Sequence, residues 1–547
     1  MKNIDKGGGG SPVGGLFARK STGLVRDVSA RDASIAGASN GPLGEYVVFS
    51  IPFGLGLFAA VSLGAIYWAI IIAAVFSIPI LINYAVLTSA MPRSGGDYVF
   101  NSRLVGAPFG FTASFALAIC QIIGAGAFAG LAVKTIFSPG LTILGSILNS
   151  STLETWGADI IQRGWLIALS LILIIAVAIL LCTGTQRALR VNSIFWSIGM
   201  VSMGVLLLVL IFTSHSSFVS SYNDFVGNPH AYQNTIHDAA AAGFVKRSSL
   251  LMVWPLTAVA MAVFGWYFWM TYFGAEIKQA RSWKREIGMM FIPLALNAVL
   301  VVLITAMMIK TFGYDFLSSA SYLSLVEPDK LVGPAAAGPP VFFTGLAAGS
   351  KVIAGLFIVT FMAWAWPLIV CFMIMPVRCA FAWSLDQVFP SRLTAVSSRF
   401  HTPILLTLIV AVLSGIVAII AAYSDRIFQI FAVEIMATAI FSQGATGFAA
   451  LMFPKRMPEL YRQQPISRYS VFGVPLISIC GVLAILFTLF WCSAYIRFHE
   501  EFGMTLGYGL TFVVIAVVGL VLFYVMRGIK QRAGLPIHLA FREIPPE

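Results

Sequence analysis

ASIAGASNGPLGEYVVFSIPFGLGLF, residues 33–58, is a hydrophobic stretch that is interrupted in its middle. Asn40, Gly41 and Pro42 stand where a membrane helix would need an unbroken hydrogen-bond ladder. Proline has no N–H to donate, and glycine tolerates irregular backbone dihedrals. Inside a bilayer, backbone that leaves the helix must face protein or a watery cavity. The stretch therefore predicts a broken helix beside a binding site, a proline kink at a packed interface, or a segment on the membrane surface.

The rest of the chain is equally hydrophobic. Of 547 residues, 59% are hydrophobic and only 10% are charged, and the mean hydropathy is +0.90. A soluble domain has about a quarter of its residues charged, so lipid must be part of the solvent of this chain. About 20 apolar residues cross the hydrocarbon core. Eleven runs of that kind follow the first stretch, near residues 64–90, 106–133, 165–184, 191–213, 250–275, 287–309, 352–377, 403–422, 427–453, 471–495 and 503–526.

The placement of positive charge indicates how the spans are oriented. If residues 30–58 also cross, most of the 34 Lys and Arg residues fall on one side, which the positive-inside bias makes cytoplasmic. We therefore predict twelve spans with both ends inside: a flexible tail at 1–28, one transmembrane domain at 29–526 and a C-terminal tail at 527–547. Three longer loops, about 134–163, 214–248 and 313–349, fall on the outer side.

A second interruption lies in the sixth predicted span, which contains MAVFGWYFWMTYFGAEIK. Gly265 stands mid-span among Phe264, Trp266 and Tyr267. Alone, this pattern also fits an aromatic lipid-facing surface with a tolerated glycine. However, carriers built from inverted repeats place broken helices at corresponding positions of the two halves. Two interruptions five spans apart therefore favour such a carrier.

Polar residues within the spans are few, and each has two interpretations. Glu434 is a candidate for proton coupling, or it touches water at the outer end of its span. Glu45 is a candidate for gating or for binding a cationic group. Glu276 is expected to form an inner-gate ion pair rather than to bind substrate. Gln121 either packs between helices or contacts substrate. Thr360 is a candidate sodium ligand, or its hydroxyl bonds to the preceding helical turn.

The sequence contains no recognisable catalytic constellation. HExxH, GxSxG and Walker patterns are absent, the histidines are scattered, and the six cysteines lack metal-site spacing. No loop is large enough for a nucleotide-binding domain, and the basic residues lie in loops between spans, which argues against a nucleic-acid partner. We expect no enzyme activity, no cofactor and no bound metal, apart from a coupling proton or sodium ion. Secondary transport, a channel, or a membrane enzyme with an unrecognised site remain.

The segment after the second span separates these classes. Met91 to Gly106 reads MPRSGGDYVFNSRLVG and resembles the hallmark segment of the amino acid–polyamine–organocation superfamily, with its motif at Pro92, Arg93, Ser94, Gly95, Gly96, Tyr98 and Arg103. A second similar stretch, VRCAFAWSLDQVFPSRLTAVSSRFHTPI, carries the family pattern at Arg378, Ala382, Asp386, Pro390 and Pro403. The stretch with Glu276, Lys278 and Arg281 fits more loosely, because a second Glu, an Asn-Pro pair and a later Pro are missing. The resemblance covers roughly residues 25 to 460.

The resemblance implies an all-α, leucine-transporter-type fold of two inverted five-helix repeats, here about 29–213 and 250–453, with two extra helices at 471–526. In such carriers the substrate carboxylate meets amides of the broken first helix, and the amino group meets carbonyls of the broken sixth. The substrate residues implied here, together with Gln121, are Ser39, Asn40, Gly41, Pro42, Gly44, Phe264, Gly265, Trp266 and Tyr267. The first break departs from the family's Gly-Ser-Gly pattern, and residues 191–213 lack the Lys that replaces sodium in some relatives.

The predicted function is secondary transport of amino acids across the plasma membrane, driven by a proton or sodium gradient. An amino acid or polyamine exchanger, and a non-transporting amino acid sensor with the same fold, are the alternatives. The expected partners are a small-molecule substrate and membrane lipid. The sequence does not indicate an oligomeric state.

Overall fold

The computed structural model describes residues 23–278, 282–336, 338–424, 434–534 and 540–541. Within these residues, eleven helices are long and apolar enough to cross a membrane. We number them α2 to α12 and keep α1 for the interrupted first helix. Their bounds are α2 Gly64–Ala90, α3 Ala107–Leu148, α4 Arg163–Cys182, α5 Thr185–Phe212, α6 Ser249–Tyr272, α7 Trp283–Phe312, α8 Lys351–Leu385, α9 Ile404–Ala422, α10 Glu434–Arg456, α11 Leu476–Arg497 and α12 Leu506–Arg532.

Each of the eleven hydrophobic runs after residue 58 corresponds to one of these helices, so the prediction of a multi-pass helical membrane protein is confirmed. The predicted start of the tenth run, 427–433, lies outside the described residues, as do residues 1–22 of the N-terminal tail and Arg281. Some boundaries differ from the predicted ones. Helix α5 begins six residues earlier and α8 ends eight residues later than expected. The polar residues at these ends lowered the hydropathy there; Thr185 and Arg378 are buried, whereas Arg187 and Arg190 are exposed.

Helix α1 is interrupted where the sequence predicted. It runs from Ala30 to Ser39 with Ser29 as its N-cap, and helical turns resume at Leu43 after the extended backbone of Pro42. These turns continue through Tyr46–Ser50 and Ile51–Leu57. Because each half is short, α1 is not among the eleven long helices. Most of its side chains are nevertheless buried.

The two interrupted helices lie directly against each other. Helix α6 is regular from Ser249 to Phe264 and then continues as tight 3-10 turns at Tyr267–Tyr272 and Gly274–Glu276. A Cβ added to Gly41 would lie 2.0 Å from the carbonyl oxygen of Val263, and one added to Gly37 would lie 2.6 Å from that of Tyr267. Glycine is therefore required at both positions, because any side chain would separate α1 from α6.

The three stretches predicted as longer loops are largely helical, which is a correction. Helix α3 passes through a wide π turn at Val133–Phe137 and continues to Leu148. The other two predicted loops contain shorter helices whose aromatic side chains pack together, Phe218 and Tyr222 against Phe316. Their polar faces lower the average hydropathy, which concealed the helices. These added helices are Ser151–Asp159, His215–Val226, Ala231–Ala241, Tyr314–Val326 and Pro339–Ala347.

Short elements connect the long helices on the side of the chain that carries most of the positive charge. We call this the basic side, and we call the side with His215–Val226 the opposite side. The basic side carries the helices Asp97–Leu104, Ser391–Thr394, Pro458–Arg462 and Pro465–Arg468, and an antiparallel pair of strands, β1 Ser470–Val471 and β2 Val474–Pro475. The opposite side also has the 3-10 turns Pro328–Lys330 and Gly333–Ala336.

Candidate functional site

A cavity of about 570 Å³ lies beside the two interruptions, between α1, α3, α6, α8 and α10. It reaches the surface on the opposite side, where residues 324–326 and 500–503 line it. Apolar side chains form much of its wall, including Phe53, Leu368 and Phe372. A largely apolar pocket with a few polar groups is the usual form of a small-molecule site.

Six of the residues predicted from the sequence line this cavity. Four belong to the predicted substrate residues and two to the predicted coupling or gating residues. They are Asn40, Pro42, Gln121 and Trp266, and Glu45 and Glu434.

The other predicted residues of the first interruption are turned away from the cavity. Ser39 accepts a hydrogen bond from Asn192 at 3.0 Å and donates to the carbonyl of Ile35 at 2.7 Å. A Cβ on Gly44 would lie 2.2 Å from the indole of Trp364. Like Gly41, Gly44 therefore provides close packing between helices.

Two carbonyls at the interruption of α6 accept hydrogen bonds from side chains of the protein. Ser77 donates to the carbonyl of Phe264 at 2.8 Å, and Gln443 donates to that of Gly265 at 2.8 Å. The hydroxyl of Tyr267 accepts from Asn297 at 2.8 Å and does not reach the cavity wall. The carbonyls of Phe264 and Gly265, which the family resemblance implied as acceptors for an amino group, thus each accept one hydrogen bond within the protein.

Glu434 belongs to a hydrogen-bonded cluster between α3 and α10. Gln121 donates through Nε2 to Glu434 Oε1 at 2.7 Å and to Thr438 Oγ1 at 3.0 Å, and Thr438 donates to Glu434 Oε1 at 2.6 Å. Glu434 is only 2% exposed. The alternative in which Glu434 simply touches water at the end of its helix does not fit this burial. Gln121 both joins two helices and faces the cavity.

Glu45, in contrast to Glu434, accepts no hydrogen bond from a side chain among the described residues. It is 8% exposed, and among the described residues no other residue donates a hydrogen bond to either carboxylate oxygen. Asn40 Oδ1 is also buried without a partner. Buried polar groups are normally paired, so unpaired ones in a cavity wall point to a ligand.

Several lining residues could not be recognised in the sequence. Lys134 and Thr135 reach the cavity because the π turn of α3 rotates them inward, whereas the sequence placed them in a loop. Glu501, at the cavity mouth, pairs with Arg247 at 2.6 Å. Thr438 could have been predicted from the sequence, because it lies one helical turn after Glu434 and therefore on the same face of the helix.

The cavity is closed on the basic side by buried ion pairs. Arg103 binds Asp386 through two hydrogen bonds of 2.6 and 2.8 Å, and Tyr98 donates to the same carboxylate at 2.8 Å. The Arg103 and Asp386 side chains are 0% and 1% exposed. Two sequence motifs separated by 283 residues therefore form one contact.

A second pair lies at the end of α6. Arg378 Nε lies 2.8 Å from Glu276 Oε1, and Thr185 donates to Glu276 Oε2 at 2.5 Å. Burial raises the pKa of the Glu276 carboxyl, whereas Arg378 and Thr185 act to lower it. The N–H of Val28 donates to the carbonyl of Glu276 at 3.0 Å, which ties the start of α1 to this closure.

The turn of the Met91–Gly106 segment fits between α6 and α8. Gly95 has φ +93° and Gly96 has φ +48°, and a Cβ on Gly95 would lie 2.6 Å from that of Ala382. The Gly95 N–H donates to the carbonyl of Tyr272 at 2.9 Å. Ser94 is buried beside them, whereas Arg93 is partly exposed and donates to the carbonyl of the preceding Pro92.

Asp97 lies behind this turn and accepts hydrogen bonds from two tyrosines. Tyr272 donates to its carboxylate at 2.7 Å and Tyr84 at 3.2 Å. Burial raises the pKa of Asp97 to about 7, against the lowering effect of the two phenols. This group titrates near neutral pH at the junction of α2, α6 and the connecting segment.

Thr360 lies on α8 away from the cavity. Its hydroxyl donates to the carbonyls of Leu356 at 2.7 Å and Phe357 at 3.1 Å, within its own helix. The sequence left two interpretations open for Thr360, and this arrangement corresponds to the one in which its hydroxyl bonds to the preceding helical turn. A role for Thr360 in sodium binding stays a prediction.

Comparison with known proteins supplies the family. A comparison with curated proteins finds no match. The family model described as amino acid permease matches residues 45–521, which is most of the chain. The match begins at Glu45, so the first interruption itself precedes it. The chain belongs to the amino acid permease family.

Proposed function

We propose that the protein is a secondary active permease that carries amino acids or related amines across the plasma membrane by alternating access. The observation that carries this proposal is the cavity beside both interrupted helices, which is open on the opposite side and closed on the basic side. A carrier needs such a site, accessible from one face at a time. In this proposal α1 also crosses the membrane, which brings the number of spans to twelve. The two five-helix repeats are inverted, and both termini are cytoplasmic.

The closed side defines what the transport cycle must change. Opening the cavity towards the basic side requires the Arg103–Asp386 and Arg378–Glu276 pairs to separate or to move with their helices. Interrupted helices suit this movement, because a helix without a continuous hydrogen-bond ladder can tilt in halves. The tight contact of Gly41 with α6 makes the two interruptions move together.

Uptake into proteoliposomes tests the proposal. The purified protein should accumulate a labelled amino acid or amine with saturation when a proton or sodium gradient is imposed, and protein-free vesicles should not. Uptake that depends strictly on substrate inside the vesicles would identify an exchanger instead. Binding without flux under either gradient would refute the transport proposal and favour a sensor.

Glu434 is the proposed coupling residue, because it is a buried carboxylate in the cavity wall without a cationic partner among the described residues. Replacing Glu434 by Gln should remove the pH dependence of uptake while retaining the hydrogen bond from Thr438. Glu459→Gln is the matched control, since its side chain is 82% exposed on the basic side. Unchanged pH dependence in Glu434→Gln would exclude Glu434 as the coupling site.

A further inference from the structure

A second cavity, of about 650 Å³, lies on the surface of the helix bundle between α4 and α9, away from the two interrupted helices. We call it the α4–α9 groove. The side chains that line it are almost all hydrocarbon. Their one hydroxyl, that of Thr183, donates to the carbonyl of Leu180 at 2.7 Å. Among these described residues a ligand would meet no free hydroxyl, amide or charge, so the part of it that enters the groove must be hydrocarbon.

Exposed branched side chains form the two walls of the groove. Ile175 and Ile179 of α4 are 52% and 62% exposed, and Leu408 and Val412 of α9 are 50% and 62% exposed. In each helix the two residues are four positions apart, so they lie on one face. The walls therefore run along both helices as continuous apolar surfaces.

Small residues form the floor between these walls. Ala178 is 4% exposed, and Ala411 is partly exposed. A Cβ on Gly415 would lie 3.2 Å from Leu171 Cδ2, so the two helices pack closely beneath the groove. A hydrocarbon chain in the groove contacts protein on three sides and gains more dispersion energy than it would on a flat helix surface.

The length of the groove matches one leaflet of a membrane. Its lining on α4 runs from Leu171 to Thr183, which is about 18 Å at the rise of an α-helix. Half of the hydrocarbon core is about 15 Å thick. One acyl chain of a lipid can therefore lie along the groove with its headgroup at the surface.

Positive charge lies at the end of the groove on the basic side. Phe400 lines this end, and its carbonyl oxygen would lie 3.2 Å from a Cβ on Gly184, just before α5. The guanidinium of Arg399 lies 5.0 Å from the centroid of the Phe400 ring. Arg187 and Arg190, in the first turns of α5, are exposed. Among the described residues, none of these three arginines belongs to an ion pair.

The cation at the other end is placed differently. Arg163 begins α4 on the opposite side, and its guanidinium lies 4.6 Å from the centroid of the Tyr423 ring. Leu171, where the lining of the groove on α4 ends, lies about 12 Å further along this helix than Arg163. A headgroup at Arg163 would thus be separated from the groove, whereas a headgroup at Arg399 adjoins it.

We propose that the α4–α9 groove binds an acyl chain of an anionic phospholipid from the leaflet on the basic side, with the lipid phosphate at Arg399 and the first turns of α5. Unpaired basic residues between membrane helices attract anionic headgroups, and each contributes about 5-fold in affinity. The proposal requires a multi-pass membrane protein but does not depend on what the protein transports.

Two lipids with the same palmitoyl and oleoyl chains test the proposal on the unmodified protein. Phosphatidylglycerol is anionic, and phosphatidylcholine has no net charge. Native mass spectrometry of the purified protein in detergent measures the affinity of the first lipid bound. We expect phosphatidylglycerol to bind at least about 10-fold more tightly, because its phosphate meets more than one arginine. Equal affinities would overturn the proposal.

Filling the groove locates the acyl chain. Ala411→Trp places an indole on the floor, so it should weaken phosphatidylglycerol binding at least about 10-fold. Leu413→Trp is the matched control, because Leu413 is 40% exposed on the same helix and does not line the groove. This control should bind like the unmodified protein. Tight binding that Ala411→Trp leaves unchanged would overturn the proposal, because the lipid then lies elsewhere.

Removing single charges locates the phosphate. Arg399→Gln should weaken phosphatidylglycerol binding about 5-fold, and Arg187→Gln or Arg190→Gln should do the same, with no effect on phosphatidylcholine. Arg163→Gln is the control on the opposite side and should change neither lipid. If Arg163→Gln weakens binding and Arg399→Gln does not, the lipid enters from the opposite side and the proposal is wrong.

The same spectra separate a lipid from a second copy of the chain. A dimer that forms without lipid and is lost in Ala411→Trp would make the groove a protein interface and overturn the proposal. Bound phosphatidylglycerol should also raise the Tm of the unmodified protein more than phosphatidylcholine does, because it binds the folded state more tightly. Since the lipid comparison uses the unmodified protein, a variant that does not fold leaves this test intact. Absence of amino acid uptake would refute the transport function without affecting the lipid site.

Discussion

Removing the guanidinium of Arg103 should open the basic side of the protein. In Arg103→Ala, Asp386 keeps the hydrogen bond from Tyr98 but loses both bonds to its cation. Breaking a buried pair by removing one partner costs about 3–5 kcal/mol, because the other charge is left buried. The side chains of this pair are 0% and 1% exposed, so the full effect applies. The cost falls on the closed arrangement, since in an open one Asp386 would meet water.

A loss of about 3 kcal/mol corresponds to a shift of about 150-fold between two conformations. Cys379 can report this shift, because it is 0% exposed and its Sγ lies 4.0 Å from the carbonyl of Gly95 within the closure. In a variant with Cys379 as the single cysteine, we expect Arg103→Ala to raise its labelling rate by a water-soluble thiol reagent about 100-fold, with a lower Tm.

The control is an ion pair on the same side that is not buried. Arg462 lies 3.1 Å from Glu459, with side chains 72% and 82% exposed. Exposed pairs contribute about 0–1 kcal/mol, so Arg462→Ala should leave both labelling and Tm nearly unchanged. If Arg103→Ala labels no faster than Arg462→Ala, the Arg103–Asp386 pair does not hold the basic side closed.

Three further predictions follow from the packing. Gly41→Ala should abolish substrate binding and lower the Tm, because its Cβ would lie 2.0 Å from the carbonyl oxygen of Val263; normal binding would show that α1 need not touch α6 there. Burial raises the pKa of Asp97 from 3.8 to about 7, so Asp97 stabilises the fold below pH 4 and this contribution is lost as the pH rises through 7. Asp97→Asn should therefore flatten the Tm–pH curve between these values. An unchanged slope would contradict the raised pKa of Asp97. Phe541→Ala should speed the labelling of Cys379 several-fold. The Phe541 ring lies 5.2 Å from the Arg103 guanidinium, and such contacts contribute about 1 kcal/mol. An unchanged labelling rate would exclude a role of Phe541 in closing the basic side.

Local properties of the sequence determined the membrane helices and the positions of both interruptions. Transfer into lipid depends on each side chain separately, so hydropathy located all eleven long helices. The interruptions near Pro42 and Gly265 were equally readable, because proline and glycine act on their own backbone. The helices on the opposite side were missed, since their burial depends on aromatic contacts with distant segments, such as Tyr222 with Phe343.

The tertiary structure alone decided which side of each interruption faces the cavity. Asn40 and Pro42 line it, whereas Gly41, which lies between them, packs against Val263. Successive residues point in different directions, and the rotation of a helix is fixed only by its neighbours. The contact of Arg103 with Asp386 and that of Gln121 with Glu434 likewise join residues about 300 positions apart. No local pattern specifies such a contact, because it depends on how the helices pack.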